Sequence, residues 1–208
     1  KEMEHQGWAE KARFYDDHFA GVTRQAVEPL IEGLGNVAEL CLIDVCCGTG
    51  DLAEAAAQRG AQVTGVDFAE PMIEIARARV PLANFEVGDA EKLNFENASF
   101  DAVTCAFGLW HIGEPDSAIL EAARVLKPGG KLLVLEFSKP PSTVLSKIYD
   151  GYSFNILPKL GKLFASDADS YQYRAESIRM HPDQKTLMDM VEKAGFSNCD
   201  YHNMTGGI

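Results

Sequence analysis

Apolar positions fall in short blocks along this chain, and between the blocks they recur every three or four residues. The block at 40–46 is apolar apart from Asp44 and predicts a buried strand, and the alanine-rich stretch 51–59 predicts the helix after it. The alternation continues through a strand at 62–66, a helix at 71–79 with Pro71 in its first turn, and strands at 84–87 and 101–107. A helix at 116–126 is stopped by Lys127-Pro128-Gly129-Gly130. The stretch 131–137 that follows is almost continuously apolar, which requires a strand covered on both faces. Strands alternating with helices predict an α/β fold with a doubly wound, mostly parallel sheet. Residues 1–34 predict a helical cap, with Trp8, Phe14, Tyr15 and Phe19 spread among charges. Aromatic, helical sequence at 139–182 interrupts the alternation, and 183–208 closes it with a helix at 184–194 and a strand at 198–203. The whole chain, 1–208, is expected to form one domain around a core at 35–138.

The strongest local signal is Leu42-Ile43-Asp44-Val45-Cys46-Cys47-Gly48-Thr49-Gly50-Asp51, a strand running through a glycine turn into a helix. Gly48 and Gly50 let backbone approach a ligand where a Cβ would clash, and the helix start offers free N–H groups to an anionic group. Asp67 ends the second strand, 19 residues beyond Gly48. A carboxylate there can accept both hydroxyls of a ribose. Taken alone, Gly48-x-Gly50-x-x-Ala53 with Asp67 also fits a dinucleotide fingerprint. Three features separate the alternatives. Asp44 lies inside the strand end, where it can meet an ammonium group that NAD lacks. Gly88-Asp89-Ala90 follows the third strand and can receive an adenine amino group. Arg124-Val125-Leu126-Lys127-Pro128-Gly129-Gly130 leads into the fifth strand. In this order the motifs resemble those of class I methyltransferases with a Rossmann-like fold, which implies S-adenosylmethionine as the cofactor. Cys46 stands where those enzymes usually carry the first glycine of the turn.

Charge and cysteine content change the picture only at its edges. With 19 basic against 31 acidic residues the net charge is −12, which argues against a general nucleic-acid binder. Five cysteines, at 41, 46, 47, 105 and 199, form no CxxC pair, so no zinc pattern is present and no metal is expected. The adjacent Cys46 and Cys47 are read as small hydrophobes at a strand end, with a soft metal or arsenic as the alternative. An odd number of thiols fits a reduced, cytoplasmic setting. The N-terminus is polar and carries no signal-peptide pattern. No apolar run approaches the roughly 18 residues of a spanning helix. The start at Lys1 without methionine suggests a trimmed fragment.

The substrate half carries a closer resemblance. Leu135-Glu136-Phe137-Ser138-Lys139-Pro140, Tyr149-Asp150-x-Tyr152-Ser153-Phe154, Asp167-Ala168-Asp169-Ser170-Tyr171 and Glu176-Ser177-Ile178-Arg179-x-His181-Pro182 are similar to the ubiquinone/menaquinone biosynthesis C-methyltransferase family. The close resemblance covers 101–207, and 40–100 matches methyltransferases in general. It implies transfer of a methyl group from S-adenosylmethionine to a ring carbon of a prenylated quinol. It implies cofactor positions at Thr49, Asp67, Asp89 and Ala90, with Tyr15 in the family's N-terminal Tyr-Asp pair. The family serine before Phe-Gly-Leu is Ala106 here, and Met72 on the second helix completes the expected cofactor set with Asp44, Gly48 and Gly50. Where the family reads Phe-Gly-Leu-Arg-Asn, this chain has Phe107-Gly108-Leu109-Trp110-His111.

His111 is the candidate catalytic residue. A histidine of ordinary pKa about 6.5 facing a phenol of about 10 leaves roughly 3.5 units uphill, about 4.8 kcal/mol, tolerable in a slow proton transfer. Orienting the quinol hydroxyl, or packing, are the alternatives. Trp110 is open between leaning over the quinol ring and lidding the core, and Glu136 between facing the site and a buried hydrogen bond. His181 is read as a turn or cap residue, and Asp167 and Asp169 as solvated or capping. The segment 139–164 carries Lys139, Lys147, Lys159 and Lys162 against Asp150, among many apolar side chains. Part of it is expected to form a substrate lid, within the lid segment 139–182, where a prenylated quinol enters from the membrane surface on the cytoplasmic side; a core-packed helix pair is the alternative. A homodimer or a quinone-biosynthesis complex is expected as a further partner. The family continues past Gly206-Gly207-Ile208 into a final antiparallel strand, expected to lie beyond this sequence. Another small-molecule O- or N-methyltransferase, or a non-catalytic S-adenosylmethionine-binding subunit, are the competing readings.

Overall fold

A computed structural model of the chain describes residues 24–138 and 182–204. Residues 1–23 of the predicted cap at 1–34, with Tyr15, and residues 139–181 of the predicted lid at 139–182 lie outside the described residues. The chain divides into two units after Glu136.

The first unit carries the alternation. A 3-10 turn, Arg24–Ala26, enters helix α1, Val27–Leu34. Then come β1, Cys41–Val45; α2, Asp51–Gln58; β2, Gln62–Asp67; α3, Glu70–Arg79; and β3, Asn84–Val87. They are followed by β4, Phe100–Ala106; a second 3-10 turn, Leu109–His111; α4, Pro115–Val125; and β5, Leu126–Leu135. The strands form one sheet in the order β3-β2-β1-β4-β5, every pairing parallel. This is the predicted doubly wound sheet. The order reverses at β1, so the carboxyl ends of β1 and β4 diverge into a crevice, where such sheets place ligands.

Both faces of the sheet are covered. Leu42, Val63, Phe85 and Ala102 share one core with the buried stripes of α1 (Leu30, Ile31, Leu34), α2 (Leu52, Ala53, Ala56) and α3 (Ile73, Ala76). Strand residues alternate sides, and Ile43 and Val103, next to Leu42 and Ala102, are also fully buried. Gly65 and Gly50 make room for the Phe85 ring. A Cβ on Gly65 would lie 2.5 Å from that ring, and one on Gly50 would lie 3.0 Å from it.

The Lys127-Pro128-Gly129-Gly130 stop takes a form the sequence did not predict. These residues belong to β5, which begins directly at the end of α4. Pairing steps from Phe100–Leu126 to Ala102–Lys131, two residues along β4 against five along β5. The stop is therefore a bulge, with Gly129 at φ 81°.

In the second unit, α5, Gln184–Lys193, begins at Asp183, whose side chain accepts from Thr186 N at 2.8 Å. The strand predicted at 198–203 does not form, and among the described residues this stretch joins no ladder. Local geometry explains the difference. Asn198 sits at φ 58°, and the Asp200 carboxylate accepts from the neighbouring Tyr201 N at 2.8 Å, a bond that competes with strand pairing.

Candidate active site

Beyond Val45 the chain turns at once. Cys46, Gly48 and Gly50 adopt φ of 57°, 53° and 84°, and Gly50 opens α2. The left-handed backbone at Cys46 explains why glycine is the easier residue there, since a side chain in that region costs about 1 kcal/mol or more. The turn is held from β2. Asp67 Oδ2 accepts from Gly48 N and Oδ1 from Ala69 N, each at 2.9 Å, and Cys47 N donates to Val66 O at 3.1 Å. One carboxylate thus fixes both the glycine turn and the start of α3.

Asp44 is buried one strand away, 2% exposed, and accepts from Thr104 Oγ1 of β4 at 2.8 Å. Burial pushes its carboxyl up to about 7, the Thr104 hydrogen bond pulls the other way, and Asp67 and Asp51 add to the rise. Cys46 is hydrogen-bonded to Cys105, and this bond and burial push its thiol well up; burial does the same for Cys47. Both stay protonated at neutral pH, which fits small apolar side chains rather than metal-binding thiolates. Among the described residues no group of three or more His, Cys, Asp or Glu side chains could hold a metal ion.

The crevice holds a cavity of about 290 Å³, lined by Cys46, Val66, Asp67, Phe68, Val87, Gly88, Asp89, Ala90, Glu91, His111, Ile112 and Gly113. The loop after β3 forms one wall, where Asp89 Oδ1 accepts from Glu91 N at 2.9 Å. His111, at the end of the 3-10 turn Leu109–His111, contributes another part of the lining with Ile112 and Gly113. Glu91 joins the two, since its Oε1 accepts from Glu114 N at 3.2 Å.

Of the predicted site residues, the fold brings Asp67, Asp89, Ala90 and His111 into this one cavity. A Cβ on Gly48 would meet nothing within 4 Å, so the turn is open there. Asp44 lies buried beside the turn. Thr49 is buried and its hydroxyl accepts from Arg79 at 3.2 Å. The bare side of Gly50 faces Phe85 rather than open space. Met72 packs with Ala69, Phe68 and Ile75, and Ala106 packs against the main core. Neither lines the cavity. Two contributors carry no local signal in the sequence: Phe68 stands in the wall beside Asp67, and Thr104 holds Asp44 from 60 residues away. Glu136, left open by the sequence between facing the site and a buried hydrogen bond, accepts from Leu109 N at 2.7 Å.

The chain matches the model of the ubiE/COQ5 methyltransferase family over residues 26–208. The match takes in the front half, which its motifs had tied only to methyltransferases in general. The ubiquinone/menaquinone biosynthesis C-methyltransferase UbiE of Idiomarina loihiensis is 48% identical over 176 residues, covering 80% of this chain and 70% of that protein. Among solved structures, a protein of Bacillus halodurans described as a methyltransferase aligns with TM-score 0.64 and 26% identity over 83% of this chain and 69% of its own. Phosphoethanolamine N-methyltransferase 2 of Haemonchus contortus, solved with S-adenosyl-L-methionine, aligns with TM-score 0.65 over 87% of this chain and 39% of its own. At 23% identity that likeness bears on the fold alone.

Proposed function

The chain belongs to the ubiE/COQ5 methyltransferase family, and from that premise we propose that it transfers a methyl group from S-adenosylmethionine to a ring carbon of a polyprenyl benzoquinol or demethylmenaquinol. The observation that carries this reading is the cavity at the carboxyl edge of the sheet, where Asp67 and Asp89 stand in one enclosure with His111. Its chemistry suits the donor. A carboxylate with two oxygens has about four acceptor sites, so Asp67 can hold its two backbone amides and still accept ribose hydroxyls. Phe68, Val87 and Ala90 supply apolar surface for a purine beside Asp89. Asp44 is the carboxylate we assign to the donor's ammonium. When bound, S-adenosylmethionine supplies an electrophilic methyl group.

The protein's own contribution is placement and proton handling. A ring carbon becomes nucleophilic when the neighbouring hydroxyl loses its proton, so the quinol and not the quinone is the substrate. His111 stands in the cavity wall and is assigned to that hydroxyl, to take its proton directly or through a water, or to hold it by a hydrogen bond. We read the whole chain as one methyltransferase domain, since the family match runs across both units. Among the described residues no helix is long and apolar enough to cross a membrane. A cytoplasmic protein meeting the membrane surface through 139–164, as a homodimer or within a quinone-biosynthesis complex, belongs to the same proposal.

The test uses labelled methyl donor with a reduced short-chain quinol. Label appearing on a ring carbon supports the reading, and label on oxygen, or none with the donor still bound, overturns it. His111→Asn and His111→Ala then assign the proton. Loss of kcat in both, with a wild-type rate rise near a histidine pKa, marks a base. Activity in the asparagine variant alone marks an orienting group.

A further inference from the structure

His111 ends a single 3-10 turn, Leu109–His111, entered through Phe107 at φ 57° and closed by two backbone bonds, His111 N to Gly108 O at 3.0 Å and Ile112 N to Leu109 O at 3.3 Å. So short a turn is marginal on its own, because ordering it yields few internal bonds. Its first amide, Leu109 N, donates to Glu136 Oε1 at 2.7 Å, a short, charge-assisted bond. Glu136 directly follows Leu135, which pairs with Ala106, and Phe107 N donates to Leu135 O at 2.8 Å. The register of β4 on β5 therefore delivers the carboxylate to the turn. The residue at the N-cap of the turn is Gly108, which has no side chain to cap it.

We propose that Glu136 is a positioning residue for methyl transfer: by accepting the Leu109 amide it fixes the turn that carries His111 in the cavity wall. The proposal rests on the reading of His111 as the residue at the quinol hydroxyl. A chain of contacts runs from strand β5 through Glu136 to Leu109 and then His111. Glu136 itself needs no contact with donor or quinol. Its length and its acceptor matter, and its charge is secondary.

Three variants separate these properties. Glu136→Gln keeps both length and an acceptor oxygen, Glu136→Asp keeps the charge but is one methylene short, and Glu136→Ala removes everything. Two readouts are needed, kcat and quinol KM for the reaction, and hydrogen exchange of the Leu109 amide in the protein without substrate. The glutamine variant is expected to hold kcat and amide protection within about threefold. The aspartate and alanine variants are expected to lose about tenfold or more in both, with donor affinity held within about twofold. Undiminished kcat and protection in the alanine variant overturns the proposal. So does a glutamine variant that loses kcat with Leu109 still protected, because the carboxylate would then act chemically. If the alanine variant does not fold, the glutamine and aspartate pair carries the same test. Exchange at Leu109 is independent of turnover, so a chain that proves inactive on quinols sinks the assignment of His111 without touching the tether, and unchanged exchange sinks the tether alone.

Discussion

Asp67 accepts from the amides of Gly48 and Ala69 while standing in the cavity wall. Replacing it by alanine removes the proposed acceptor of two ribose hydroxyls and also frees the glycine turn. At about 1.5–3 kcal/mol for a hydrogen bond to a charged group, Asp67→Ala should weaken S-adenosylmethionine binding at least tenfold. Titration calorimetry reads this directly, and an unchanged affinity would refute the assignment. Asp44 leads to a prediction in pH. Its folded pKa, raised to about 7 by burial, exceeds the ordinary 3.8. Between those values the native state binds the proton and the unfolded state does not, so this group's contribution falls as pH rises through the window and is least favourable above 7. The full penalty is on the order of 4 kcal/mol. Asp44→Asn should therefore match the wild type near about pH 4, where both side chains are neutral, and exceed it in thermal stability at about pH 8. In the same range donor affinity of the wild type should climb with pH, as the carboxylate ionises to meet the ammonium, and that of the asparagine variant should stay low and flat.

At the scale of elements, the site depends on how strand ends meet. A Cβ built on Gly108 would lie 2.3 Å from Cys46 Cβ and 2.8 Å from its Sγ. A side chain at 46 and glycine at 108 thus form a matched pair where β1 and β4 part. Gly108 has a φ of −114°, acceptable to any residue, so the contact with Cys46 decides what a substitution there does. Gly108→Ala should destabilise the protein by about 1–3 kcal/mol through overpacking. In a Cys46→Gly background most of that loss should vanish, a coupling of about 1 kcal/mol or more in a double-mutant cycle read by denaturant unfolding. Additive losses would mean that the two strand ends are independent. Elsewhere in the first unit, Arg124 of α4 fastens the loop before β4. It donates to Phe95 O at 2.7 Å and Leu93 O at 2.8 Å, while Glu121 beside it accepts from Leu93 N at 2.8 Å. The motif residue Arg124 thus acts on the fold rather than in the cavity.

Across the whole molecule the charge is uneven. The chain carries −12, yet 139–164 holds four lysines against one aspartate. A basic, apolar segment on an acidic protein is suited to an anionic surface, since apolar burial and attraction to headgroups add. Wild-type protein should co-sediment with anionic vesicles, less so as salt rises, and the paired substitution Lys159→Glu with Lys162→Glu should abolish most of the binding. Activity on a soluble short-chain quinol should survive that pair while activity on a lipid-embedded quinol falls. Equal loss on both substrates would place the lysines at the reaction rather than at the membrane.

The apolar blocks and their spacing were enough to predict the five strands of the mostly parallel sheet and the helices between them. Burial on both faces demands continuous apolar strands, and each helix exposes one stripe to the core, so these patterns are local and readable. Asp67, Asp89, Ala90 and His111 were legible because each follows a strand end, and parallel strands gather their ends at one edge. The long-range hydrogen-bond pairings were not legible: Thr104 reaches Asp44 from 60 residues away, and Glu136, whose hydrogen-bonding role the sequence left open, finds its partner in Leu109, 27 residues away. The same holds for the bulge at Lys127–Gly130, the Phe85 ring against Gly50 and Gly65, and the lack of a strand at 198–203. Periodicity tells which way a side chain faces. What it touches depends on the register between strands far apart in the chain, and that register is settled only when the sheet packs.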